Sequence, residues 1–272
     1  MNTIVFLMKE TPKLYTKISF ASYMLRHGCK VKFEKVLSKK EEPNEALIVT
    51  DRPEIFKECS QLSTECLAAI TEEKETDDFP GARFFVMEPF DTEAEYYKRI
   101  YNRINHIPLM IAKTPRLLLR ETTGEDVEEF AKIYGDSEIT KYTDGILDIY
   151  TEKKYVNAFR EKEYELRGFG IWTVIRRKDN RVIGRCGFDV RAGFDEPEAG
   201  YVMGKEFQNK GYATEALKAA LSFARKKELG KINAFVMSGN EASKRVLEKC
   251  GFSFVGSKEI NQKSYEQWQT KN

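Results

Sequence analysis

The chain has 272 residues, 41% of them hydrophobic and 12% aromatic, which is enough to bury a core and too apolar for whole-chain disorder. Its 45 basic and 43 acidic residues leave a formal charge of +2, without the concentrated cationic excess that phosphate-driven nucleic-acid binding needs, so no direct nucleic-acid binding is expected. The only two histidines, His27 and His106, exclude a Ser-His-Asp triad or a His-based metal site from everything beyond residue 112. No apolar run approaches the roughly 20 residues of a membrane span, so no membrane association is expected. The five cysteines are scattered without CxxC spacing, which fits packed thiols in a reducing, cytoplasmic protein.

In chain order, residues 3–8 form a short β-rich run. Residues 14–26 carry Leu14, Ile18, Ala21, Tyr23 and Leu25 at helical spacing, with Gly28 as a stop. Residues 46–50 suit a buried strand, and Asp51-Arg52-Pro53-Glu54 reads as a helix start with Asp51 as the cap. Strands are expected at 66–70 and 83–87, and a charged amphipathic helix at 92–105. Strand-helix alternation predicts a small parallel α/β domain over residues 1–112.

Beyond the junction at 107–113 the pattern changes, and so does the charge. There are 16 basic and 18 acidic residues up to Ala112, against 29 and 25 after it. A strand at 117–120 precedes helices at 124–134 and 151–167. Residues 170–177 and 181–190, joined by Lys178-Asp179-Asn180, read as an antiparallel hairpin. A strand at 198–203 leads through a glycine-bearing loop into a helix at 214–227, whose Ala216, Leu217, Ala220, Leu221 and Ala224 face a sheet. A strand at 232–237 and a helix at 240–250 follow, the helix closed by Gly251. Residues 254–256 and 264–268 are short terminal strands.

The loop Gln208-Asn209-Lys210-Gly211-Tyr212-Ala213 is where chemistry concentrates. Gly211 can adopt backbone geometry closed to other residues, and successive N–H groups at a helix start suit a pyrophosphate. Neither GxxxxGK[ST] nor GxGxxG is present.

Glu198-Ala-Gly-Tyr-Val-Met-Gly, Gln208-Asn-Lys-Gly-Tyr-Ala-Thr-Glu-Ala-Leu and Asn240-Glu-Ala-Ser-Lys-Arg-Val-Leu-Glu-Lys-Cys-Gly-Phe resemble the GCN5-related N-acetyltransferase (GNAT) superfamily. The nearest branch is the one that contains ribosomal-protein N-terminal acetyltransferases. Thr114-Pro-Arg-Leu-Leu-Leu-Arg and Gly170-Ile-Trp-Thr-Val-Ile fit the same branch, and the likeness covers nearly all of residues 113–272. It implies an α/β fold of the α+β kind, with a mostly antiparallel mixed sheet splayed between two strands and flanked by helices. It also implies acetyl-CoA as co-substrate, no metal, and direct attack by a primary amine, either a protein N-terminus or a small molecule. Val202 and Met203 would pair with the pantetheine arm, Gln208, Asn209, Lys210, Gly211, Tyr212, Ala213 and Thr214 would cradle the pyrophosphate, and Asn240 would bond the pantetheine region. Glu198 is the candidate base through water, and Ser243 stands where the branch places a hydroxyl near the CoA sulfur. Many members carry a tyrosine four residues further on, where this chain has Leu247. Tyr142, Trp172 and Tyr201 are candidate acceptor-pocket residues. The alternative is a CoA-binding sensor or scaffold with little turnover, and the organisation permits a homodimer.

Residues 1–112 partly resemble the haloacid-dehalogenase-like (HAD-like) phosphatases. The likeness rests on Ala46-Leu-Ile-Val-Thr-Asp51-Arg-Pro-Glu, Cys66-Leu-Ala-Ala-Ile and Phe79-Pro-Gly-Ala-Arg-Phe-Phe-Val-Met. The nucleophile motif DxDx[TV] is absent, so a degenerate HAD/Rossmann-like module without catalysis is expected.

Overall fold

A computed structural model describes residues 1, 3–36, 46–62, 66–143, 148–159, 163–191, 193–260 and 262–271. The chain divides into two compact units, Met1–Ile107 and Pro108–Asn272.

The first unit runs β1 (Thr3–Leu7), α1 (Leu14–Arg26), β2 (Lys30–Phe33), β3 (Ala46–Thr50), α2 (Pro53–Gln61), β4 (Cys66–Ala69), β5 (Phe85–Val86) and α3 (Ala94–Ile104). Its parallel sheet has the order β2-β1-β3-β4-β5, which is the flavodoxin-like winding and not the Rossmann order. Sequence patterning misses β2, because this edge strand carries Lys30 and Lys32 on its exposed positions. One sheet face is closed by an aromatic cluster in which Phe6 meets Phe20 edge-on at 5.5 Å. The apolar spacing of α1 does not mark its buried face. Leu14, Ile18 and Leu25 are 72%, 58% and 63% exposed, and the helix buries Phe20 and Met24 instead. Asp51 is not the cap of α2 either: Arg52 holds that position, and Asp51 accepts the Lys9 N–H at 2.7 Å.

The second unit opens with β6 (Met110–Lys113), which pairs with β7 (Leu117–Glu121) and so moves the division a few residues before 112. A 3-10 turn at Gly124–Asp126 leads into α4 (Val127–Tyr134), then α5 (Ser137–Thr140) and α6 (Ile149–Phe159). The expected helix at 151–167 includes 160–162, which lie outside the described residues. Next come β8 (Ile171–Arg176), β9 (Arg181–Asp189), β10 (Glu198–Met203), α7 (Tyr212–Lys226), β11 (Asn233–Met237), α8 (Glu241–Lys249), β12 (Phe252–Ile260) and β13 (Lys263–Thr270). The terminal strands are longer than their sequence signal because they pair with each other along nearly their whole length.

This sheet has the order β12-β13-β11-β10-β9-β8-β7-β6. Every neighbouring pair is antiparallel except β10 and β11, which are parallel and register at one position only, Glu198 opposite Asn233. β10 otherwise leans on β9 along six residues, and β11 on β13 along five, so the two middle strands diverge. One face of the sheet is covered by α7 with its five expected buried residues, and Leu247 of α8 joins the same core. On the other face, Asp126 takes a two-pronged ion pair from Arg120 at 2.6 Å and a hydrogen bond from Thr173 at 2.8 Å, which ties α4 to β7 and β8.

Candidate active site

The divergence of β10 and β11 leaves main-chain groups without a strand partner, and their direction follows from the alternation of a strand. Asn233 N–H donates to the Pro197 carbonyl, whereas Gly204 N–H donates to Ile183 on β9. Odd-numbered residues of β10 therefore turn their peptide groups toward the opening, and even-numbered ones toward β9. Tyr201 and Met203 face the opening. Val202 faces β9, where its carbonyl would stand 2.1 Å from a Cβ added at Gly184, so of the two expected residues only Met203 turns its main-chain groups to the opening, joined there by Tyr201. Gln208 donates through Nε2 to the Met203 carbonyl at 3.1 Å, tying the loop to the end of β10.

A 570 Å³ cleft runs through this opening. Its walls include Glu198 and Val202 of β10, Phe235 of β11, and Asn240 and Ser243 at the start of α8. Tyr134, Glu152 and Tyr155 from α4 and α6 line its other end. Side chains alternate along β10, so Glu198 and Tyr201 lie on opposite faces of the sheet. Glu198 is gripped by Arg191, whose Nε and Nη2 donate to the two carboxylate oxygens at 2.5 and 2.8 Å. Arg191 lies over the Phe235 ring with its guanidinium carbon 5.4 Å from the centroid. Each carboxylate oxygen keeps a further lone pair, so Glu198 can still accept a hydrogen bond from water.

On the other face, Asn240 caps α8 by accepting the Ser243 N–H on Oδ1 at 3.1 Å. The Tyr201 hydroxyl stands 2.8 Å from Ser243 Oγ and 3.0 Å from the Ser243 carbonyl. Burial pushes the Tyr201 phenol well above its ordinary range, with the Ser243 hydrogen bond opposing it more weakly. Leu247, one turn after Ser243, is fully buried in the core.

The loop before α7 has the expected geometry. Asn209 and Gly211 both lie in the left-handed region, at φ 57° and 77°, and Gly211 is the N-cap of α7. The N–H groups of Tyr212, Ala213 and Thr214 fall in the first turn, which has no carbonyl one turn back to receive them. With the positive end of the helix behind them they are suited to an anion. Lys210 donates through Nζ to the Glu206 carbonyl at 2.7 Å. Gly211 and Thr214 also border a second, shallower groove that includes Lys218 and Lys249.

Sequence reasoning missed two arginines. Arg116 donates through Nη1 to the Lys210 carbonyl at 2.9 Å and through Nε to Glu215 at 2.5 Å, and its guanidinium carbon lies 4.5 Å from the Tyr212 ring centroid. It thus clamps the loop from β7's side. Burial alone would raise the Glu215 carboxyl, but hydrogen bonds from Thr114 and Arg116 outweigh it and hold the group below the usual carboxylate range. Arg116 sits inside the quoted Thr114-Pro-Arg motif, so that signal was present. Arg191, on the connection into β10, has no motif around it.

Of the aromatic candidates, Tyr142 lines the cleft and donates to the Gly239 carbonyl at 3.1 Å. Tyr201 borders the cleft but points to Ser243. Trp172 is a correction: it is fully buried between Phe188 and Phe223, at 5.7 and 5.0 Å between ring centroids, and cannot reach an acceptor. Cys186 is buried in the same core, and burial raises the Cys250 thiol to about 11, so neither is a ready nucleophile. Among the described residues no helix is long and apolar enough to cross a membrane.

Residues 116–253 match the family described as acetyltransferase (GNAT) domain. The chain is 31% identical over 150 residues to YoaA of Bacillus subtilis (strain 168), described as an uncharacterised N-acetyltransferase, covering 54% of this chain and 84% of that relative. Among solved structures it is similar to the ribosomal-protein-S5-alanine acetyltransferase of Vibrio fischeri, with a TM-score of 0.52 and 18% identity over 59% of this chain and 96% of the other. A second is the ribosomal L7/L12 α-N-protein acetyltransferase RimL in complex with coenzyme A, with a TM-score of 0.50 and 17% identity over 59% of this chain and 96% of that one. None of these comparisons shows the HAD-like resemblance of residues 1–112.

Proposed function

Because the chain belongs to the GNAT family and is an N-acetyltransferase, we propose that it transfers the acetyl group of acetyl-CoA to a primary amine by direct attack within the cleft. The observation that carries this reading is the single-position contact between β10 and β11. A chain-like thioester can lie in that opening against the Tyr201 and Met203 peptide groups, with its diphosphate on the N–H groups from Asn209 to Thr214. The residues present suit such a molecule, since the loop supplies donors without a competing carboxylate: Glu215 is engaged by Arg116 and Thr114.

The chemistry divides across the sheet. The amine arrives on the Glu198 face and attacks the thioester carbonyl carbon when neutral. Glu198, held by Arg191, takes the proton that the nitrogen loses, through water, and passes it to solvent. The Met203 N–H faces the opening and suits the developing oxyanion. The C–S bond then breaks with its electron pair on sulfur, on the α8 face, where the Ser243 hydroxyl donates to the thiolate. A thiol of ordinary acidity needs only this hydrogen bond before solvent protonates it.

The acceptor is a protein N-terminus or a small-molecule amine. Among the described residues, three carboxylates and two arginines line the cleft, namely Glu152, Asp189, Glu198, Arg185 and Arg191, and this near-balance does not favour a polycation. The test is thiol release from acetyl-CoA across N-terminal peptides and small amines. Glu198→Gln should lower kcat by about 10²-fold while leaving acetyl-CoA affinity within a few-fold. Unchanged turnover in that variant would remove Glu198 from the mechanism. Binding of acetyl-CoA without turnover on any amine would favour a sensor instead.

A further inference from the structure

Tyr201 was an acceptor-pocket candidate, and the structure turns its hydroxyl away from that role. Three observations bear on what it does. Its hydroxyl is within hydrogen-bond distance of both oxygen atoms of one residue, 2.8 Å from Ser243 Oγ and 3.0 Å from the Ser243 carbonyl. Its own peptide group faces the opening between β10 and β11, so its backbone and its side chain bracket the place where a thioester would lie. The residue one turn beyond Ser243 is Leu247, sealed in the core, so α8 brings no second hydroxyl to this face at that position.

We propose that Tyr201 is a positioning residue for Ser243, holding the serine hydroxyl toward the sulfur of the departing thiolate. This rests on the acetyl-transfer reading above and deepens it. The physical reason lies in what a serine does in the first turn of a helix. Left alone, its hydroxyl rotates to suit any acceptor in reach. A phenol at 2.8 Å limits that freedom. With no thioester bound, the phenol donates to the Ser243 carbonyl and accepts the serine O–H. When the C–S bond breaks and its electron pair moves to sulfur, the serine O–H turns to the thiolate. The phenol hydrogen then turns to Ser243 Oγ, so the two hydroxyls stay bonded to each other before and after the C–S bond breaks. Tyr201 never ionises in this scheme, since no proton leaves it. The thiolate gains its proton from solvent, and the amine's proton has left by Glu198.

The experiment is a double-variant cycle on the full chain, with kcat and KM for acetyl-CoA measured for Tyr201→Phe, Ser243→Ala and the pair. The expected result is a fall in kcat of about tenfold for each single variant, a KM within about twofold of the parent, and a double variant no slower than Ser243→Ala alone. Phenylalanine keeps the shape of the ring, and calorimetric titration with acetyl-CoA checks that each variant retains the cleft. Penalties that multiply in the double variant would show that Tyr201 acts apart from Ser243. A rise in KM with kcat intact would make Tyr201 a binding residue, and a neutral Tyr201→Phe beside a slow Ser243→Ala would remove it from the chemistry. Each of these three results overturns the proposal while leaving Ser243 in place. A neutral Ser243→Ala overturns the proposal together with the leaving-group step on which it rests.

Discussion

Trp172 and Tyr201 stand in one row of the sheet, each registered with Cys186 on the strand between them. Alternation therefore puts both rings on the same face, and residue type does not separate them. What separates them is distance from the opening. Trp172 lies beneath Phe223 of α7, while Tyr201 stands at the diverging edge where α8 begins. Asp126 shows the same dependence on surroundings. It reads as an ordinary first-turn acid, yet it is 3% exposed and bonded by Arg120, Thr123 and Thr173. Burial would raise its carboxyl, but these partners outweigh it and hold the group below the usual aspartate range. A carboxyl depressed in the folded state contributes stability that is present above its unfolded pKa and is lost as pH falls through the folded value. Asp126→Asn should therefore cost about 3 kcal/mol at pH 7 in urea unfolding. The difference from the parent should shrink once the pH drops below about 4. A constant difference across that window would remove the ion pair as its cause.

At the scale of elements, the start of α7 depends on one backbone conformation. Gly211 adopts φ 77°, and a Cβ there would meet only an Arg116 nitrogen, at 3.5 Å, an ordinary contact. The penalty for a side chain is thus conformational, about 1–2 kcal/mol for a non-glycine residue in the left-handed region. Gly211→Ala should shift the loop enough to raise KM for acetyl-CoA by about tenfold, with kcat at saturation little changed, because the cradle is remote from the bond that breaks. Steady-state kinetics separates the two parameters, and a loss confined to kcat would contradict the assignment of this loop to binding. The loop's local signal was strong in sequence, a glycine between a strand and an apolar helix, and the helix start moved from 214 to Tyr212 and its end from 227 to Lys226. Element edges were less legible where pairing extends them, as in β12 and β13, or where charged edge positions disguise them, as in β2.

At the scale of the whole molecule, each unit closes its own core. The buried cluster around Trp172 and Leu247 lies wholly within Pro108–Asn272, and the aromatic cluster around Phe6 within Met1–Ile107. A chain reduced to residues 108–272 should fold cooperatively and release thiol from acetyl-CoA with a simple amine. Circular dichroism and the thiol assay test this, and a fragment without a cooperative transition would show that its core is incomplete. The sequence by itself determined strands β7 to β11 and helices α4, α7 and α8 of the second unit, the inward face of α7, the cap at Asn240 and the glycine loop. These are local matters of periodicity and backbone freedom, written within a few residues of one another. Only the tertiary structure decided that α1 turns Leu14 outward, that Arg116 holds Glu215 from 99 residues away, that Trp172 is sealed, and that Tyr201 meets Ser243. Those outcomes join positions far apart in the chain through sheet order and register, which no local pattern encodes.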